Sequence, residues 1–305
     1  MIGKRAIGVL LAVITTALVL ANQHEVGLAR DEIVYMQHGM RYADWWVGLA
    51  TFQHGASKQS ITKTFGGPGA TDNNREHPPL MKTLFGLSHR IAHGSLGVDE
   101  VTAFRIPSAL MHGVLVLLVY AMTLSLWGVL EAVLAALLVM FLPRAMFHAS
   151  LACFDAPIMT LWFATVFAYW RCLDGRRWPW QAGVVFGLAL ATKHNALLLP
   201  FALGVHYLFI GVRSARRREL RGAAFVREVV VHRWRVIVSL AVLGPLVLVA
   251  VWPWLWFDTI AHVRDWLVFH LTHVHYNFEY LGVNWNAPRF PWHVALVTTL
   301  FTVPV

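Results

Sequence analysis

Asp31 and Glu32 stand side by side just after the first apolar run, in a chain whose 305 residues include only 16 Asp and Glu. Adjacent carboxylates where a hydrophobic segment meets water can do acid–base work, or can simply start a helix. Neighbours on a helix point about 100° apart, so the two cannot share one task. One can face a cavity as base while the other orients a partner or holds a cation. The plain alternative is a helix cap, with Asp31 accepting backbone N–H groups. Residue types alone leave both roles open.

Other clusters repeat the pattern. Glu76-His77-Pro78-Pro79-Leu80, followed by Lys82, joins a third carboxylate to an imidazole and an ammonium, or else is a solvated helix start. Arg105 opens an apolar run in Phe104-Arg105-Ile106-Pro107-Ser108. Its guanidinium can snorkel to lipid head groups, bind one phosphate, or pair with an acid from the segment before it. Asp155 enters another run in Cys153-Phe154-Asp155-Ala156-Pro157, and ionisable groups entering membrane spans tend to be paired and functional. Thr192-Lys193-His194-Asn195 marks a corner between two runs, where a lysine also serves as an interfacial anchor. His273 and His275 in His-Val-His offer two ligands to a divalent cation. Their segment also holds Trp266, Tyr276, Tyr280 and Trp285, which suit a plain interfacial surface equally well. The sequence has no Walker loop, Gly-x-Ser-x-Gly, His-Glu-x-x-His or dinucleotide fingerprint, and nothing points to a nucleotide donor.

The elements that must position these groups are membrane helices. The chain is 57% hydrophobic and 13% charged, with a mean hydropathy of +0.56, and apolar runs of spanning length recur throughout. The class is an all-α polytopic membrane protein. Spans are expected near 6–22, 106–126, 128–143, 155–172, 181–193, 195–212 and 236–257, with an eighth starting near 291. The first follows Lys4 and Arg5 without a convincing cleavage site, so it reads as an uncleaved helix. The net charge of +9 is gathered in short loops, which signals membrane orientation rather than nucleic acid. Eight arginines fall in 213–235, Arg176 and Arg177 near Asp174, and Lys4 and Arg5 at the N-terminus. Seven complete spans put all three on one side, which is then cytoplasmic. Anionic lipid contact is the further use such arginines have. Cys153 and Cys172, at opposite ends of one span, stand roughly 28 Å apart at 1.5 Å per residue and cannot bridge.

One transmembrane domain, 1–305, thus carries an extracytoplasmic loop at 23–105, a basic cytoplasmic loop at 213–235 and a second extracytoplasmic loop at 258–290. In the first loop Ile33, Met36, Met40, Ala43, Val47 and Ala50 recur at steps of three and four, which predicts an amphipathic helix on the membrane surface. Asp31 and Glu32 sit at its N-terminal end, where negative charge suits the helix dipole. Gly66-Gly67-Pro68-Gly69 breaks the chain. A second surface helix starts at Pro78-Pro79, with Leu80, Leu84, Leu87 and Ile91 on one face and Lys82, His89 and Arg90 off it.

Taken in order, Asp31-Glu32, Glu76-His77-Pro78-Pro79-Leu80 with Lys82, Arg105-Ile106-Pro107-Ser108, Asp155-Ala156-Pro157 and Gly187-Leu188-Ala189 to Thr192-Lys193 resemble the polyprenyl-phosphate-sugar glycosyltransferases of the GT-C membrane fold. The nearest group is the protein O-mannosyltransferases and lipid A aminoarabinose transferases, matched over roughly residues 25–200. The resemblance implies an inverting transfer of a mannose- or arabinose-like sugar from a polyprenyl-phosphate carrier to a protein, lipid or glycan acceptor. It places this chemistry on the extracytoplasmic face of a plasma (inner) membrane, with the N-terminus cytoplasmic. It makes Asp31 the base on the acceptor, with Glu32 beside it. Lys82, Arg105 and Lys193 become candidates for steadying the leaving phosphate, Asp155 a substrate contact, and Glu76 and His77 residues that shape the site. Members of the group are usually longer, so the chain is expected to be a catalytic half, truncated or completed by a second subunit. A transporter or flippase for polyprenyl-linked lipids, or a non-catalytic membrane partner, would use the same charges for binding alone. Transporters often carry internal repeats and midplane charges, and neither is visible here.

Overall fold

The computed structural model describes residues 2–66, 74–173, 179–231, 233–272, 277–286 and 289–302. The helices are α1 (Ile2–Asn22), α2 (Arg30–Ala50), α3 (Lys58–Phe65), α4 (Leu80–Leu96), α5 (Glu100–Leu126), α6 (Val129–Met140), α7 (Pro143–Ala149), α8 (Asp155–Cys172), α9 (Trp180–Leu190), α10 (Leu199–Arg217), α11 (Gly222–Val231), α12 (Trp234–Val251), α13 (Thr259–Leu271) and α14 (Val294–Thr302). Three short 3-10 turns, Gln23–Glu25, His194–Leu198 and Pro253–Trp256, and two short strands, β1 (Phe278–Tyr280) and β2 (Val283–Trp285), accompany them. The chain divides into two compact units, Met1–Thr259 and Ile260–Val305. In the second, β1 and β2 pair antiparallel around Leu281 and Gly282, both at positive φ, as a tight two-residue hairpin turn requires.

Among the described residues four helical segments are long and apolar enough to cross a membrane: Gly3–Glu25, Glu100–Leu126, His194–Arg217 and Gly222–Val251. The α6–α7 pair, bent by 62° at its break, makes a fifth if it counts as one span. The all-α membrane class therefore holds, while the expected seven or eight spans are not all matched by helices of spanning length. The reason is local. α8 fills the expected span 155–172, but Asp155, Thr160, Thr165, Tyr169 and Arg171 dilute its apolar character. α9 has only 11 residues, about 16 Å at 1.5 Å per residue, roughly half a bilayer core.

α2 and α4 do form where the hydrophobic periodicity put them, with α3 between them, but their packed faces coincide with the expected stripes only in part: Met36 and Ala43 go in and Leu84 packs against the core. Glu32, Tyr35, Met36, Gly39, Tyr42 and Ala43 are buried on α2, while Ile33 and Met40 from the expected apolar stripe are exposed. On α4 the buried residues include Met81, Lys82, Phe85 and Gly86, while Ile91 points out and Lys82 is sealed in rather than off the packed face. In a membrane protein the most apolar stripe can face lipid, and small and polar residues can fill the helix–helix contact. Gly39 and Gly86 mark that contact: a Cβ on either would run into the other helix's backbone.

α1 packs along α5, where Gly113 lies against the backbone of Ala12 and the Tyr120 hydroxyl donates to the Lys4 carbonyl at 2.6 Å. α9 and α12 are held by Ser239, whose hydroxyl accepts from Gly183 N–H and donates to the Pro179 carbonyl at 2.7 Å. Of the expected loop features, Gly67, Pro68, Gly69, Asp174, Arg176 and Arg177 lie outside the described residues.

Replacing Gly86 with Val puts a Cβ and two methyl groups into the α2–α4 contact. Overpacking of this kind costs about 1–3 kcal/mol, so Gly86→Val is expected to lower the melting temperature in detergent by several degrees. The same change at Gly94, where a Cβ would meet nothing, is the control. Equal melting temperatures for the two variants would contradict the packing described here.

Candidate active site

The centre of the site is an ion pair. The Arg105 guanidinium donates from Nε to Glu32 Oε1 and from Nη2 to Oε2, both at 2.9 Å, and neither side chain meets appreciable solvent. Glu32 also accepts from the backbone N–H of Ala29 at 3.0 Å and of Ala152 at 2.7 Å. Arg105 spends its other donors on the carbonyls of Gln23, Val26 and Gly27, each at 3.0 Å. A guanidinium has five N–H groups and a carboxylate about four acceptor positions. Every one of them is used.

Three sequence-based roles change here. Glu32, not Asp31, supplies the cap of α2, reaching back from the third helical position to the Ala29 N–H. Glu32 is sealed from solvent, with its carboxylate oxygens taken up by these four donors. Arg105 has taken the alternative of pairing with an acid from the preceding segment, and keeps no N–H for a phosphate.

Asp31 follows from the same geometry. One residue back from Glu32, on the same first turn, its side chain is exposed. One helical turn on, Tyr35 is buried and stacks on Phe154 at 4.1 Å between ring centroids. His77 meets both rings, edge-on to Tyr35 at 6.1 Å and tilted to Phe154 at 5.3 Å, with His194 at 6.3 Å on its other side. Burial drives the Tyr35 phenol far above its usual pKa, and the negative charges of Asp31, Asp155 and Glu76 add to the shift. Tyr35 therefore stays protonated at neutral pH, and the groups around it that can accept a proton are the carboxylates and the His77 and His194 imidazoles.

Two tethers bring distant segments to this point. The Leu80 N–H donates to the Ala191 carbonyl at 3.1 Å, which docks the start of α4 against the end of α9 and so carries Glu76-His77 to Lys193-His194. Asp155 at the first turn of α8 accepts from Lys193 Nζ at 2.7 Å, with His148 Nδ1 at 3.7 Å from its other oxygen. Lys193 and Asp155 are both partly exposed. Lys82 differs from Lys193: it is fully buried, donates to the Asn74 carbonyl at 2.9 Å, and lies 5.2 Å from the Tyr42 ring centre. The Asn74 amide in turn donates to Glu76 at 3.1 Å, so Lys82 shapes the 74–76 segment from beneath.

Tyr35, Phe154 and Asn195 gain importance that residue type alone did not give them. The signal for Tyr35 was its spacing of four from Asp31, one turn along the helix. Asn195, beside Lys193 in sequence, has a buried side-chain oxygen with no hydrogen-bond partner among the described residues; no linear pattern shows that. For a divalent cation, no group of three or more His, Cys, Asp or Glu gathers among the described residues. Asp155 already carries an ammonium, and His273 and His275 lie outside the described residues.

Burial, followed by the charges of Glu32, Asp155 and Asp31, pushes the Cys153 thiol up to about 12. The thiolate is the reactive form, so Cys153 is expected to resist iodoacetamide at pH 7.5 in the native protein and to react fully once denatured. Rapid native labelling, located by peptide mass spectrometry, would contradict this. The ion pair has its own test. Removing one partner of a buried pair costs about 3–5 kcal/mol, whereas replacing both with apolar groups is often neutral. Arg105→Ala should therefore unfold at a markedly lower temperature than Glu32→Leu/Arg105→Met. A double variant no more stable than the single one would show that the pair is not what strands the charge.

A family model described as dolichyl-phosphate-mannose-protein mannosyltransferase matches residues 76–257, more than half of the chain. No curated protein matches it. The matched stretch begins at Glu76 and takes in Lys82, Arg105, Asp155 and Lys193, while Asp31 and Glu32 precede it. The chain belongs to the dolichyl-phosphate-mannose-protein mannosyltransferase family, and is a multi-pass membrane glycosyltransferase of the mannosyltransferase type.

Proposed function

We propose that this enzyme moves a mannose- or arabinose-like sugar, with inversion, from a polyprenyl-phosphate carrier to a protein, lipid or glycan acceptor, with Asp31 as the base. In this reading the reaction takes place on the extracytoplasmic face of the plasma (inner) membrane, and the N-terminus is cytoplasmic. The observation that carries it is the saturated Glu32–Arg105 pair. By locking the first turn of α2, it leaves the neighbouring Asp31 carboxylate exposed beside the Tyr35–His77–Phe154 rings.

The step is a single displacement. Asp31 takes the proton of the acceptor hydroxyl as its oxygen forms a bond to the anomeric carbon. The bond from that carbon to the carrier's phosphate oxygen breaks, and the electron pair leaves with the polyprenyl phosphate. A phosphate leaves without a strong acid, but its charge needs a cation. Lys193, partly exposed on Asp155, fits that role better than the buried Lys82 and Arg105. Asp155 holds Lys193 until substrate arrives. Glu76 and His77, braced by Lys82 through Asn74, wall the sugar pocket, and the stacked Tyr35 and Phe154 rings give it an apolar floor. Glu32 and Arg105 are positioning residues, and a second subunit that completes the fold is an expectation of the resemblance.

The test uses the purified chain with polyprenyl-phosphate mannose and a panel of hydroxyl acceptors. General base catalysis contributes roughly 10²–10⁴-fold. Asp31→Asn should therefore lower kcat by at least about 100-fold with little change in KM for the donor. Lys193→Gln should weaken turnover as well. Full transfer by Asp31→Asn would remove Asp31 as base. Carrier movement between leaflets without transfer to any acceptor would replace the transferase with a flippase.

A further inference from the structure

The end of α8 remote from Asp155 holds a second feature, about 26 Å along the helix at 1.5 Å per residue. There a cavity of about 630 Å³ opens among the ends of α8 and α10, the helix α11 and the start of α12. Among the described residues Arg218, Arg227, Arg233 and Arg235 line it, with Glu228 as the one carboxylate. Glu228 accepts from Arg218 at 3.1 Å and from the Ser214 hydroxyl at 2.6 Å. The Nε of Arg233 donates to the Leu173 carbonyl, which fixes the direction of its fork. With five N–H groups on each guanidinium, neither contact exhausts its donors. The rest of the wall is largely apolar and includes Leu220, Val231 and Val236. Beside it Val226, Val230 and Trp234 are exposed by 60%, 54% and 47%.

We propose that this cavity binds the phosphate head group of an anionic glycerophospholipid. Orientation of the chain by positive loops needs only charge in the loop; it does not call for four guanidiniums around one concave space. Planar guanidinium forks match phosphate oxygens in pairs, and basic pockets between helices at the membrane boundary suit anionic head groups. The exposed valines and Trp234 give the acyl chains an apolar path away from the head group. The cavity is separate from the Asp31 site and does not depend on the reaction proposed for it.

The experiment is native mass spectrometry of the full chain, delipidated in detergent and titrated with phosphatidylglycerol, phosphatidylcholine, polyprenyl phosphate and inorganic phosphate. Arg227→Gln/Arg235→Gln removes two exposed lining charges. Arg213→Gln/Arg221→Gln removes two arginines that do not line the cavity, and melting temperature checks that both variants are folded. Wild type and the control variant should bind phosphatidylglycerol over phosphatidylcholine, and the cavity variant should bind it roughly tenfold or more weakly, in keeping with the surface charge removed. Equal loss in both variants would reduce the effect to general surface charge and overturn the site. Binding of inorganic phosphate as tightly as the lipid, or a preference for polyprenyl phosphate, would overturn the assignment to a glycerophospholipid.

Discussion

The pairing of Glu32 with Arg105 is the constraint on which the rest of the site depends. Taking two charges out of water costs several kcal/mol for each, repaid only where every donor and acceptor finds a partner. Here each does, across four separate pieces of chain: the 23–27 segment after α1, the first turn of α2, the second turn of α5, and the Ala152 segment before α8. Such pairs add little net stability over an apolar replacement. What this one does is allow a single arrangement. Shift α2 by one residue and the carboxylate loses four hydrogen bonds together. Asp31, one position earlier, is therefore held in place by a buried group whose own oxygens are fully engaged.

A second set of contacts completes the site from the other side. Gly39 and Gly86 let α2 and α4 approach at backbone distance. The Leu80–Ala191 hydrogen bond fastens the beginning of α4 to the end of α9. Glu76, His77, Lys193 and His194 come from segments more than 100 residues apart, yet these two close approaches bring them to the same rings. The buried Lys82 works from below, holding Asn74, which in turn holds Glu76. The charges of the site are thus layered: sealed ones, Glu32, Arg105 and Lys82, set the positions of exposed ones, Asp31, Asp155 and Lys193.

Much of this was legible from residue order. Asp31-Glu32, Glu76-His77, Asp155 and Lys193 were singled out as clusters, and they do meet at one end of the helices. Composition gave the all-α membrane class. What residue order could not give was the inward face of α2 and α4. Apolar periodicity marks a face that leaves water, and in a lipid environment that face need not be the packed one. Ile33, Met40 and Ile91 stay outside, while Gly39, Tyr42 and Lys82 go in. The division of labour within Asp31-Glu32 was hidden for a related reason: both residues are acidic, and only the position of Arg105 in space decides which is consumed. α8 and α9 fall at expected spans, but polar residues in the first and the shortness of the second keep them from reading as spans by length and composition.

The protonation pattern around Tyr35 narrows the chemistry further. Its phenol is buried, near the charges of Asp31, Asp155 and Glu76, and held far above its usual pKa, so it stays protonated at neutral pH. Glu32 has every oxygen position filled, and Asp155 spends one oxygen on Lys193 at 2.7 Å. Glu76 accepts from Asn74, itself held by Lys82. Each carboxylate near the rings thus has a named cationic or amide donor on it, apart from Asp31, which is exposed and lies outside the Glu32–Arg105 network by the turn of the helix. A hydroxyl acceptor arriving from solvent would reach that carboxylate without displacing an internal ion pair. That difference in access, more than any difference in residue type, is why the role of base falls to Asp31 in the proposed reaction.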